Sequence, residues 1–184
     1  MSAEWIGGLE HKPSKDVYFM SLCYLISQRS IDTNTACGAI LVAADGRILS
    51  TGYNGPPKGS IDENFPMTRP EKYVGMLHSE ENAILAYFGS QQDLVGSTMY
   101  ITGDPCNRCL RGMLQKGIRR FVYAGGVQAK MTADDSDLIR DRNMLIAGQD
   151  VQMIEFDEMD KVKALLGRTV DYIDYRQSGK NKVE

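Results

Sequence analysis

The chain reads as an α/β protein: a mixed sheet of five strands with helices on both faces, a three-layer α/β/α sandwich. Three observations predict it. An apolar run over 36–43 is followed by Asp45-Gly46 and a second strand-like run over 47–53, an antiparallel hairpin at the start of the fold. Beyond the hairpin, helical and extended segments alternate, as they do when crossover helices join the strands of one sheet. No internal repeat interrupts the pattern, and 184 residues suit a single domain.

Each element has its own signal. Residues 13–30 predict a helix, with Pro13 in the first turn and Val17, Met20, Tyr24 and Leu25 near one face. The run over 36–43 is nearly all apolar, as in a strand buried on both sides. Asp45-Gly46 predicts a two-residue turn. Residues 54–77 form a long connection containing Pro56, Pro57, Pro66 and Pro70, and such loops are usually functional. A helix follows over 78–88, with Ile84, Tyr87 and Phe88 turned inward. Then come a strand over 97–103, a helix over 105–116, a strand over 119–124, a polar helix over 134–147 closed by Gly148, and a strand over 151–156. The main domain therefore spans 13–156, leaving 157–184 as a short helix, over 157–167, and a loose polar tail.

Composition narrows the function. Apolar residues make up 42% and charged residues 24%, too apolar for a disordered chain. A net charge of −3 and a pI near 5.5 do not supply the basic field that bulk nucleic-acid binding needs. The first twelve residues contain no apolar h-region, and the longest apolar stretch, 38–44, is far too short to span a membrane. A cytoplasmic protein without membrane attachment is the expectation. There Cys23, Cys37, Cys106 and Cys109 stay reduced and are core residues or ligands rather than a disulfide framework.

The chemistry concentrates at the starts of two predicted helices: His78-Ser79-Glu80, and 28 residues after the histidine, Cys106 within Pro105-Cys106-Asn107-Arg108-Cys109. Cys106 and Cys109 are three apart, so both thiols leave the first turn in the same direction. One imidazole and two thiolates make three ligands. Structural zinc sites close with four protein ligands, whereas catalytic sites use three and keep a position for water, and soft donors select zinc over magnesium or calcium. Helix N-termini favour the ionised thiols. Glu80, two residues past the histidine, can reach such a water and move its proton. Glu81 competes for that role, its simpler reading being a charge at a helix N-terminus.

These residues resemble the signature of the zinc-dependent cytidine deaminase superfamily, H-x-E followed by P-C-x-x-C. Further segments are similar to its deoxycytidylate (dCMP) deaminase branch: Tyr18-Phe19-Met20, Ser27-Gln28-Arg29-Ser30, Gly38-Ala39, Thr51-Gly52-Tyr53-Asn54-Gly55, His78-Ser79-Glu80-Glu81-Asn82-Ala83-Ile84 and Gln115-Lys116-Gly117-Ile118. The resemblance is close over 16–123 and thins beyond it. It implies conversion of dCMP and water to dUMP and ammonia, feeding thymidylate synthesis. His78, Cys106 and Cys109 would hold one Zn2+ per chain, and Glu80 would shuttle protons while hydroxide attacks C4.

For the substrate, the resemblance implies Asn54 at the sugar or base, and the backbone N–H of Ser79 is expected to meet the pyrimidine carbonyl. Arg29 is a candidate for the 5′-phosphate, with a helix C-terminal cation as its alternative, just as Asn54-Gly55 can be simple turn chemistry. Arg108, Arg111, Lys116, Arg119 and Arg120 compete for the phosphate or form a solvated face. Family members are commonly hexamers, activated by dCTP with Mg2+ and inhibited by dTTP. The loop tied to that regulation here contains Gly55, Pro57, Lys58 and Gly59. Residues 54–77 contain neither Cys nor His for a second zinc. Ser79 stands where the family commonly has alanine, and Gly125-Gly126-Val127 where it often has a tyrosine-containing segment. The alternatives are another deaminase of the superfamily (nucleoside, guanine, riboflavin-pathway or tRNA-adenosine) and a zinc-stabilised binding module without chemistry.

Overall fold

The structure, a computed structural model, describes residues 12–66, 68, 71–125 and 142–177. The elements are α1 (Lys15–Ser27), β1 (Gly38–Val42), β2 (Ile48–Tyr53), the short α2 (Lys72–Gly75), α3 (Ser79–Leu85), β3 (Thr98–Ile101), α4 (Asn107–Gln115), β4 (Arg120–Ala124), β5 (Gln152–Phe156) and α5 (Met159–Gln177). Contacts divide the chain into two compact units: the described parts of Met1–Ser21 with Glu158–Glu184, and Leu22–Asp157. No helix among the described residues is long and apolar enough to cross a membrane.

The five strands form one mixed sheet in the order β2-β1-β3-β4-β5. β1 is antiparallel to both β2 and β3, whereas β3, β4 and β5 run parallel. Register assigns the faces: Ala39 pairs with Ile101, Leu41 with Met99, Met99 with Phe121 and Phe121 with Met153. That face packs against Ala83 of α3 and Cys109, Leu110, Met113 and Leu114 of α4. Gly38 points to the other face, where a Cβ would collide with the Cys23 carbonyl, so the second half of α1 lies against it. The predicted mixed five-stranded sheet with helices on both faces is thus present.

Several boundaries moved for local reasons. Ser14, not Pro13, begins the first helix: its hydroxyl accepts the Val17 N–H at 3.2 Å, which places Pro13 ahead of the cap. Leu25 is 53% exposed, because Val17, Met20 and Cys23 take the buried stripe. The hairpin turn has residues 44–46 rather than two: Gly46 N–H bonds to the Ala43 carbonyl at 2.9 Å and Gly46 sits at φ 93°. Helix α3 stops at Leu85, so Phe88 lies outside it and is 94% exposed instead of inward. The proline-rich connection contains a 3₁₀ turn, Asp62–Asn64, and α2. Of the polar helix expected over 134–147, residues 142–146 are helical, with Gly148 at φ 72° just beyond; 134–141 lie outside the described residues. Helix α5 continues through Gly167 to Gln177, since one glycine costs a helix only about 1 kcal/mol. The rest of the expected tail, 178–184, lies outside the described residues.

Helix α3 approaches β2 at Gly52, where a Cβ would strike the Ser79 carbonyl oxygen and the Ala83 backbone nitrogen. Two polar bonds seal the contact: Ser50 Oγ donates to the Ala83 carbonyl at 2.8 Å, and Asn82 Nδ2 donates to the Tyr53 carbonyl at 2.7 Å. Backbone cannot yield as a flexible side chain can. Gly52→Ala should therefore lower the unfolding free energy by about 3 kcal/mol, read from urea denaturation; an unchanged midpoint would contradict the contact.

Candidate active site

Two helix N-termini face each other where β3 ends. His78 caps α3 with φ −76° and ψ 159°, and Cys106 caps α4 with φ −70° and ψ 159°, so both side chains leave extended backbone just as a helix begins. Cys109 follows in the first turn of α4, and its N–H points at Cys106 Sγ, 3.5 Å away. His78 Nδ1 lies 3.5 Å from Cys106 Sγ and 3.5 Å from Cys109 Sγ. The three donor atoms all fall within 4.8 Å of one another. Tetrahedral zinc with bonds of about 2.05 Å to nitrogen and about 2.3 Å to sulfur requires an N···S separation of about 3.6 Å. The residues present fit such an ion.

The three donors strongly perturb one another's protonation. Hydrogen bonding from Cys109, reinforced by His78 against the effect of burial, holds the Cys106 thiol well below its ordinary range. The same sulfur contact, with burial, pushes Cys109 up. His78 is raised by its bond to Cys106 despite burial. Of the other two cysteines only Cys23 belongs to the core; Cys37, expected there as well, is partly buried in the loop just before β1. Cys23 is buried with its Sγ on the Tyr100 carbonyl at 3.5 Å, and burial pushes the Cys37 thiol up to about 11.

Glu80 is 5% exposed, in the first turn of α3. Burial raises its pKa, opposed by its own backbone N–H, by His78 and by the Ser79 hydroxyl, which donates to Oε2 at 2.8 Å. Glu81 turns outward to the Arg108 guanidinium, 3.0 Å away. Of the adjacent carboxylates only Glu80 is buried beside the three donors.

The remaining predicted residues are placed as follows. Asn54 is buried and its amide is engaged by the chain: Oδ1 accepts the Cys37 N–H at 2.7 Å, and Nδ2 donates to the Thr35 carbonyl at 2.9 Å and to Asp32 Oδ2 at 3.4 Å. Arg29 is exposed in the turn that ends α1. Gly55 is buried and bridges to Leu77, the residue before His78. Pro57, Lys58 and Gly59 form an exposed turn, closed by Ser60 N–H on the Pro57 carbonyl at 3.0 Å, with Gly59 at φ 93°. Of the basic group, Arg111 and Lys116 are solvated, whereas Arg119 bonds the carbonyls of Leu114 and Ile118 and Arg120 the hydroxyls of Thr98 and Tyr100.

Sequence reasoning missed two supports. Lys72 Nζ and Asp32 Oδ2 pair at 2.7 Å with both side chains 3% exposed, joining the proline-rich connection to the loop after α1. Arg142 reaches the Pro105 carbonyl at 3.0 Å and Asp104 Oδ1 at 2.6 Å, the latter an ion pair rather than an aligned hydrogen bond. The partners in each pair lie far apart in sequence, and no local motif announces them.

Burial alone would raise Asp32. The Lys72 ammonium and the N–H groups of Asn34 and Thr35 outweigh it and hold the carboxyl below the ordinary 3.8. A depressed folded-state pKa adds stability that is fully present above the ordinary value and lost as the pH falls below it. Lys72→Met leaves a buried charge without its partner and should cost about 3–5 kcal/mol. Urea titrations across pH 3–7 should also show a smaller or reversed acid loss of stability in that variant, because without Lys72, burial raises the folded-state pKa of Asp32. An unaltered pH profile would show that the pair does not hold Asp32 low.

Comparison with known proteins agrees with this geometry. The family described as the cytidine and deoxycytidylate deaminase zinc-binding region matches residues 13–125. Over 112 residues the chain is 36% identical to deoxycytidylate deaminase of Homo sapiens, the match covering 58% of this chain and 62% of that relative. The chain thus spans less than two thirds of that protein's length. It is 32% identical over 128 residues to deoxycytidylate deaminase of Mycobacterium phage D29, covering 61% of this chain and 95% of the relative. Among solved structures, dCMP deaminase from cyanophage S-TIM5 in apo form superposes with a TM-score of 0.58 at 27% identity, covering 79% of this chain and 100% of that one. The same enzyme in complex with dCMP and dUMP gives 0.57 at 26% identity, covering 80% of this chain and 100% of that one. With a three-donor centre, a buried carboxylate beside it and a family match across most of the fold, the chain belongs to the cytidine and deoxycytidylate deaminase family.

Proposed function

We propose that the chain is a zinc-dependent deaminase that hydrolyses dCMP to dUMP and ammonia. The observation that carries the reading is His78 Nδ1, 3.5 Å from both cysteine sulfurs, with the buried Glu80 beside this centre. The cyanophage structure in complex with dCMP and dUMP, whose whole length this fold matches, supports the choice of nucleotide.

In this reading His78, Cys106 and Cys109 hold one Zn2+, which when bound makes a water acidic enough to ionise near neutral pH. The chain's own part is proton traffic and orientation. Both protons of the consumed water end on nitrogen, one on N3 of the pyrimidine and one on the departing ammonia. Glu80 carries them, and its burial keeps its pKa raised, closer to the working pH than that of an exposed carboxylate. The N–H of Ser79 at the start of α3 receives the pyrimidine carbonyl. Asn54, its amide bonded to Cys37, Thr35 and Asp32, holds the loop before β1 in place, and the exposed Arg29 takes the 5′-phosphate by charge-assisted hydrogen bonds. The product feeds thymidylate synthesis in the cytoplasm. Triphosphates of the dCTP and dTTP type act through the turn containing Gly55, Pro57, Lys58 and Gly59, within an assembly of identical chains.

One set of purified proteins tests this. The parent should contain about one zinc per chain and release ammonia from dCMP faster than from CMP, deoxycytidine or dCTP, with its saturation curve shifted by added dCTP or dTTP. Cys109→Ser should lose its zinc and its rate together. Glu80→Gln should keep its zinc and lose roughly 10³-fold in kcat. Full activity in Glu80→Gln would sink the mechanism.

A further inference from the structure

We infer that the Ser79 hydroxyl is a positioning residue for Glu80: it fixes the carboxylate in the single orientation from which the other oxygen serves the reaction. The inference rests on the reading of Glu80 as the proton carrier.

Three observations support it. Ser79 is 0% exposed and its Oγ donates to Glu80 Oε2 at 2.8 Å, a charge-assisted bond inside the protein. The stem that carries the hydroxyl cannot drift, because the Ser79 carbonyl lies directly against Gly52 of β2. The bond is also not ordinary helix capping. His78 is the cap residue of α3, and the serine hydroxyl spends its one proton on the carboxylate rather than on backbone. A glutamate has three side-chain torsions; the Glu80 N–H gives its carboxylate one anchor, and the Ser79 hydroxyl on Oε2 gives it a second. Tying Oε2 to a rigid donor fixes the plane of the carboxylate and leaves Oε1 in a set direction. An alanine side chain at position 79 carries no group that can do this.

The test is kinetic and structural. Ser79→Ala should lose about ten-fold in kcat for dCMP, with KM within two-fold of the parent and zinc content and melting temperature unchanged. Ser79→Thr, which keeps the hydroxyl, should recover most of the rate. A Ser79→Ala enzyme with parental kcat, or one whose loss lies wholly in KM, overturns the inference. Crystal structures of the zinc-loaded parent and Ser79→Ala provide an arm that needs no substrate. Glu80 should occupy one conformer in the parent and more than one in the variant, and a single unchanged conformer overturns the inference even if dCMP proves not to be the substrate. A parent that binds zinc yet leaves dCMP intact removes the proposed function instead, and the crystallographic comparison still decides the role of Ser79.

Discussion

The seating of α3 on β2 at Gly52 is the constraint on which the site depends. With no side chain at that position, the Ser79 carbonyl and the Ala83 nitrogen come into direct contact with the strand. The hydroxyl of Ser50 and the amide of Asn82 then lock the helix in register. Because His78, Ser79 and Glu80 occupy the first turn and its cap, this contact sets the coordinates of all three together. The bridge between Gly55 and Leu77 supports the same point from the chain that enters it.

The second half of the site arrives by a different route. β3 runs parallel to β4 and ends beside β1, where Thr102 Oγ1 accepts the Gly38 N–H at 2.9 Å. The chain then turns through Asp104 and Pro105 into α4, whose cap is Cys106. Sites in open α/β sheets form beyond the carboxyl ends of parallel strands, and this one follows that rule. Two helix starts aimed at a common centre favour anionic sulfur, and it is the thiolates that attract a cation. The cost of burying Glu80 there is partly offset by hydrogen bonds from its own N–H and from Ser79.

The long proline-rich connection is ordered by electrostatics as well as by packing. Asp32 accepts from Lys72, Asn34, Thr35 and Asn54, and so gathers the loop after α1, the end of β2 and the segment leading to His78 around one carboxylate. A buried pair of this kind contributes little net stability compared with an apolar replacement, but losing one partner is costly. Its value lies in specifying one arrangement for a stretch whose prolines and glycines would otherwise permit several.

The sequence by itself determined the strand order along the chain, the α/β class and the residues able to bind a metal, because period, turn chemistry and the H-x-E and P-C-x-x-C spacings are local. It also separated the two clustered cysteines, Cys106 and Cys109, from Cys23, whose apolar neighbours marked it as core, but the same reading failed for Cys37, which is only partly buried. Local pattern failed where a helix stops or which of several apolar residues is buried, as at Phe88 and Leu25. It failed wherever partners are distant: Lys72 with Asp32, Arg142 with Pro105, and α3 against Gly52. Only the tertiary structure decided that the Ser79 side chain faces Glu80, that the Asn54 amide is engaged by backbone, and that His78 stands equally far from both sulfurs. Those relations depend on the packing of helices onto a sheet, which sums many small non-local contacts and leaves no signature at the residues themselves.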